Sequence, residues 1–288
     1  MTRRGAVVAV GALAAAVLLV WALAARRGAD ARWMRLLLRD GALVRQEQED
    51  DGGRWHRISV GWNRWRVGRE YRSFLRDYPE HARARVAYGC FLAEHHREDD
   101  AAQQWERAVQ ADPGMAVAWN NLGEQHAHSG RVIEGLRMMD KARTLEPRRA
   151  VFHYNWALVC STYRREAQQL YGWDADEIFR QSLAAFQRAR DLAPADYEIA
   201  SAYAQTYYLI PRADWEGARA AWSYCLPLTS NEVQRERVCG YLARICMRLG
   251  RSEEARQWLA QMIEPEIRPL RTALEKKLND TPPASPGS

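Results

Sequence analysis

From residue 82 to residue 262 the apolar positions fall in short helical steps that recur. Ala101, Trp105, Ala108 and Pro113 are spaced by four, three and five residues. Gly135, Met139, Ala142 and Pro147 repeat that spacing 34 residues later, and Ser182, Phe186, Ala189 and Pro194 repeat it again. Ala218, Trp222 and Cys225, then Ala255, Leu259 and Met262, keep the first two steps. Steps of four and three place small, large and small residues on one helix face. The small residues admit a neighbouring helix closely and the large one fills the groove beside them. A proline just beyond the last turn stops the helix, because it lacks an N–H and disfavours helix at the residue before it. The pattern therefore predicts the second helix of each of five stacked helical hairpins.

The first helices carry a matching signal. Trp119, Leu122, Gly123 and His126 follow the order Trp-x2-Leu-Gly-x2-Tyr, with histidine in the tyrosine's place. Tyr88-Gly89, Trp156-Ala157, Tyr203-Ala204 and Leu242-Ala243 supply the same large-small pair. Gly130 and Gly250 each fall seven residues after the small residue, where a short turn between helices calls for a permissive backbone. These features resemble the tetratricopeptide repeat family over about 180 residues, two-thirds of the chain. The resemblance implies an all-α, right-handed superhelical solenoid of helix–turn–helix repeats, with no catalytic residues and no cofactor. In that family the first helices line a concave groove for peptides or helices. The groove-facing positions here are Arg83 and Val86, then Asn120 and Glu124, then Tyr154 and Leu158. Ser201, Gln205 and Tyr208 follow, and Arg244 and Arg248 close the row. Arg237 joins those two in a patch suited to an acidic segment of a partner protein. Val86 and Cys90 stand where the family's chaperone-tail-binding members need polar groups, so that resemblance fails.

Departures from the repeat divide the rest of the chain. Residues 162–177 (TYRREAQQLYGWDADE) surround 13 extra residues in the third unit, read as a longer helix pair or a surface loop. Two more extra residues, with Pro211, enter the fourth unit between Ala204 and Ala218. Val67, Tyr71 and Phe74 keep the four-three spacing ahead of Pro79, so 63–81 reads as a degenerate half repeat. Residues 263–280 read as a capping helix, which a stack needs because its last unit cannot bury its own outer face. Residues 281–288 (TPPASPGS) are too poor in apolar groups to fold and read as a flexible tail.

Toward the N-terminus, residues 5–25 form an uncharged run of 21 residues, bounded by Arg3-Arg4 and Arg26-Arg27. At about 1.5 Å per residue this spans the roughly 30 Å of a bilayer core, so 1–28 reads as a single transmembrane helix. The alternative is a cleaved signal with Ala29-Asp30-Ala31 at the cut. The reading adopted is a single-pass membrane protein whose repeat domain lies on the exported side. Residues 29–62 then comprise a juxtamembrane helix and a polar linker around 46–53 (QEQEDDGG).

Composition sharpens this picture in three places. The net charge is +6, and 15 arginines against nine acidic residues lie between Arg26 and Arg85, so the surplus sits beside the apolar run. Such a region suits anionic lipid headgroups or, as an alternative function, nucleic acid or another anionic polymer, with Trp55, Trp62 and Trp65 interleaved. Trp55, Ile58, Trp62 and Trp65 recur at helical spacing, however, and read as core. The five cysteines show no C-x-x-C pair and an odd count, which points to buried thiols rather than a disulfide or zinc framework. His95 and His96, and His126 and His128, face apart in pairs and read as surface or turn residues rather than chelators. No phosphate loop, H-E-x-x-H or nucleophile elbow occurs, so an enzyme would need chemistry from the extra segment, with Asp174, Asp176 and Glu177, or from a partner. The leading expectation is a scaffold that binds a protein or peptide in its groove, with no small-molecule substrate.

Overall fold

The computed structural model describes residues 28–47, 54–210 and 214–280. Every regular element among them is helical. The chain divides into two compact units, Met1–Ala118 and Trp119–Ser288.

In the first unit, helix α1 (28–47) runs antiparallel to α2 (Arg54–Asp77). Three ion pairs between them set the register: Arg32 with Asp77, Arg39 with Glu70, and Arg64 with Glu47 at 2.8 Å. Beneath these pairs the indole of Trp33 meets Tyr71 and Phe74, and Tyr71 stacks on Tyr88 of α3 (Ala82–Glu94). α3 packs on α4 (Glu98–Ala111) across Gly89, where a Cβ would lie 2.3 Å from Trp105 Nε1. The large-small pair therefore marks a place where an indole lies flush on backbone.

α5 (Ala116–His128) crosses into the second unit, which continues with α6 (Val132–Leu145), α7 (Ala150–Thr162) and α8 (Arg164–Tyr171). α9 (Ala175–Leu192), α10 (Tyr197–Thr206) and α11 (Trp215–Cys225) follow. α12 (Glu232–Arg248), α13 (Ser252–Ala260) and α14 (Arg268–Asn279) complete it. Gly123 and Gly135 bring α5 and α6 together so closely that a Cβ on Gly135 would fall 2.5 Å from the Gly123 carbonyl oxygen. α4, α6 and α9 each end two residues before their proline, at Ala111, Leu145 and Leu192. Gly130 and Gly250 take φ of +84° and +73° in the turns, a region that L side chains rarely adopt. Asp174, Asp196, Asp214 and Asn231 each accept a backbone N–H at the start of the helix they precede.

The extra residues of the third unit build α8, a short helix between α7 and α9 that packs on α6 and α9 as well as on α7. Tyr171 at its end donates to Asp140 at 2.6 Å and accepts from Trp156 Nε1 at 2.9 Å. The extra helix is thereby fastened to the repeat core rather than left as a loop.

Three expectations need correction, and some fall outside this description. First, among the described residues no helix is long and apolar enough to cross a membrane. α2 has the length, at 24 residues, but it carries Arg64, Arg66, Arg69, Arg72 and Arg76. The single-pass location with an exported domain is overturned on that finding. The run at 5–25, the linker residues 48–53, Pro211 and the tail at 281–288 lie outside the described residues.

Second, Trp62 and Trp65 are not core: they are 60% and 53% exposed. The buried face of α2 is Val67, Tyr71 and Phe74, and at about 100° per residue Trp65 and Trp62 lie on the far side of the helix from Val67 and Tyr71 respectively. Third, His126 is 4% exposed and sits 3.1 Å from Glu134 through Nδ1, so it belongs to the interior of the second unit. The cysteines meet the expectation of free core thiols: four of the five are buried and Cys90 is half-buried. Burial pushes the thiols of Cys160 and Cys246 up to about 11, which keeps them protonated and unreactive near neutrality.

Candidate functional site

The positions of the second unit that were expected to face a groove fall into two groups. The first is a hydrogen-bonded row on α5 and α7. Asn155 Nδ2 donates to Asn120 Oδ1 at 3.3 Å and to Glu124 Oε2 at 3.4 Å. Asn120 is only 3% exposed, so its amide spans the two helices instead of facing a ligand. Tyr154 donates to Glu198 Oε1 at 3.0 Å, and burial together with that carboxylate pushes its hydroxyl up to about 12. Leu158 and Gln205 remain exposed, while Ser201 is buried and turned back to the Glu198 carbonyl.

The second group converges. Tyr208, Arg244 and Arg248 line one cavity of ≈ 170 Å³ with Trp215, Met247 and Lys277. The local chain explains how. α10 gives way after Thr206 to a 3-10 turn at Tyr207–Leu209, which swings Tyr208 toward α12. Asp214 caps α11 by accepting from Gly217 N at 2.8 Å, and this sets Trp215 in the first turn. Gly217 itself sits where a Cβ would lie 2.6 Å from Tyr207 Cε1. Arg244 and Arg248, one turn apart on α12, reach back over these rings. The Arg244 guanidinium carbon lies 5.8 Å from the Tyr208 centroid and that of Arg248 5.7 Å from the Trp215 centroid.

Electrostatically the cavity is one-sided. Among the described residues, three cations and no carboxylate line it. Neither Arg244 nor Arg248 forms an ion pair among the described residues, whereas Arg219 and Arg251 nearby share Glu216 and Glu254. Burial pushes the Tyr208 hydroxyl up to about 12, with Arg244 acting against the rise. Unpaired guanidiniums beside half-buried rings form a receptor for an anionic group with an apolar neighbour.

Trp215, Met247 and Lys277 were not among the sequence-derived positions. Met247 precedes Arg248 on α12, so its neighbourhood was legible. Lys277 comes from the last helix, beyond the repeats, and only the fold of α14 onto α12 brings it in. Arg83 is exposed on α3 in the first unit.

The carboxylates of the extra segment have other occupations. Asp174 caps α9, and Glu177 pairs with Arg180 and accepts from Gln181 Nε2 at 2.7 Å. A cavity of ≈ 440 Å³ does open beside α8, lined by Arg164, Arg165, Glu166 and Phe179 among others, but Asp174, Asp176 and Glu177 do not line it.

No family model and no curated protein matches the sequence. Solved structures do match it. Pseudomonas aeruginosa PilF aligns at a TM-score of 0.62 and 18% identity, covering 87% of this chain and 99% of that one. YrrB, described as a TPR protein with an unusual peptide-binding site, aligns at 0.56 and 15%, over 72% of this chain and 97% of its own. PilW, described as a widely conserved type IV pilus biogenesis factor, aligns at 0.55 and 16%, over 74% and 93%. At these identities the likeness is one of fold. The chain is an all-α helical-repeat protein like the tetratricopeptide-repeat proteins.

Proposed function

We propose that this chain is a protein-binding scaffold rather than an enzyme, and that it takes an acidic peptide segment of a partner on the first-helix face of its repeats. The observation that carries this reading is the convergence of Arg244, Arg248 and Lys277 on one aromatic-walled cavity, with no carboxylate among the described residues that line it. A peptide carboxylate there would meet paired donors one helical turn apart, and an adjacent apolar side chain would lie on Tyr208 and Trp215. Tyr154, Glu124 and Gln205 extend the same face, with Asn120 holding it from beneath and Arg83 a separate contact on α3. In this reading the repeat domain spans 82–262, with 63–81 as a degenerate half repeat before it and 263–280 as its cap. The peptide-binding site of YrrB gives the reading a precedent within the fold.

The test is capture of partners on the immobilised full chain, compared with a chain carrying Arg244→Glu and Arg248→Glu. Both positions are exposed, so circular dichroism should show the variant folded. Partners lost only by the variant support the cationic cavity as the site. Capture of the same partners by both chains sinks the proposal.

A further inference from the structure

The structure leaves a second surface that the proposed groove does not use. On α2, Trp62, Trp65, Arg66 and Arg69 follow one another at positions one, four, five and eight of a helical stripe. The two indoles are 60% and 53% exposed, with centroids 6.2 Å apart. Each carries the guanidinium of the residue four positions on: Arg66 lies 5.6 Å from the Trp62 centroid and Arg69 lies 5.4 Å from that of Trp65. Neither arginine meets a carboxylate among the described residues, and Arg66 Nε has no acceptor. This sets them apart from Arg32, Arg39 and Arg64 on the same hairpin, which are all paired across α1 and α2.

We infer that the Trp62–Arg69 stripe of α2 is a docking surface for an acidic amphipathic helix of a partner protein. Three observations favour that occupant. Spacing of three and four along a rigid helix presents the ridge that another helix packs against, whereas an extended segment would find no sheet edge among the described residues there. The charge is of one sign, so the complementary chain must bring carboxylates beside its apolar residues. A second copy of the same stripe would set arginine against arginine, so pairing of like surfaces about a twofold axis is opposed. The stripe spans about 10 Å along α2, enough for two turns of a partner. It is independent of the groove: it stands if the cavity at Arg244 proves unused, and it fails on its own residues.

The test uses the full chain and a fluorescein-labelled 21-residue peptide, helical by design, with leucines along one face and glutamates flanking them. Anisotropy should show saturable binding. Trp62→Ala with Trp65→Ala, and separately Arg66→Glu with Arg69→Glu, should each weaken it by about tenfold or more. A peptide with lysine in place of glutamate should prefer the Arg66→Glu/Arg69→Glu chain to the original. In a chain already carrying Arg244→Glu and Arg248→Glu, either stripe pair should still weaken peptide binding by about tenfold or more, which separates this surface from the groove. Circular dichroism and unfolding midpoints check that all variants fold. No binding by the unaltered chain, or binding unchanged by both stripe variants, overturns the inference. Binding of a 20-nucleotide oligothymidylate that depends on the stripe while the peptide does not would also overturn it. So would stripe-dependent self-association in sedimentation.

Discussion

Each compact unit of this chain lays a pair of arginines over a pair of aromatic rings, and the two arrangements differ in what surrounds the rings. In the first unit Trp62 and Trp65 stand on an outward helix stripe, more than half exposed. In the second, Tyr208 and Trp215 are half-buried, and α12 and α14 wall them into a cavity. Among the described residues the guanidiniums are alike in lacking carboxylates, while arginines near each pair are engaged: Arg39 and Arg64 across α1 and α2, Arg219 and Arg251 around Glu216 and Glu254. An arginine's role is thus decided by whether a carboxylate from a neighbouring helix reaches it. An exposed stripe suits a long ridge contact, and a walled cavity suits one anionic group.

The comparison is sharpened most by tryptophans of opposite burial. Trp156 is 2% exposed, donates to Tyr171 and has the Arg143 guanidinium 3.9 Å from its centroid. Replacing it with alanine should cost about 3–5 kcal/mol in urea unfolding, the usual penalty for emptying a large core site. Gly217→Ala comes next. The added methyl meets Asp214 and Tyr207, so overpacking and a weakened cap should together cost about 1–3 kcal/mol. The same variant should loosen any ligand of the cavity, because Tyr208 and Trp215 flank the displaced turn.

A smaller effect should appear at high pH. The Tyr208 hydroxyl is raised to about 12 by burial, above the value of about 10 that it takes in the unfolded chain. The protonated form is favoured by folding, so this contribution is intact below pH 10 and is lost as pH rises toward 12. Tyr208→Phe should therefore flatten the fall of the unfolding midpoint over that interval. An unchanged slope would show that the hydroxyl is open to solvent. Smallest of all, Trp62→Ala should leave stability within about 0.5 kcal/mol of the original, as for an exposed site. A loss as large as that of Trp156→Ala would break the comparison, since Trp62 would then have to be a packing residue.

Much of the repeat architecture was legible in the chain. Small residues at Gly89, Gly123 and Gly135 are there because backbone or indole atoms approach to within contact, and prolines 113, 147 and 194 follow the helices they limit. Such features are local: spacing along one helix and the φ of one turn are carried by the residues themselves. The 13 extra residues were visible as a change of period, but their form was not. α8 exists because Tyr171 finds Asp140 and Trp156, partners supplied by two other helices.

The candidate site divides in the same way. The resemblance to the tetratricopeptide repeat offered Tyr208, Arg244 and Arg248 together as expected groove positions, since each sits at a defined place in a repeat. Only the tertiary structure closed Asn120 against Asn155, turned Trp62 and Trp65 outward and brought Lys277 beside Arg248's cavity. Periodicity states which residues share a face of one helix. Whether that face is covered, and by which charge, depends on helices distant in sequence, because burial and electrostatic pairing are properties of what packs against a residue rather than of the residue.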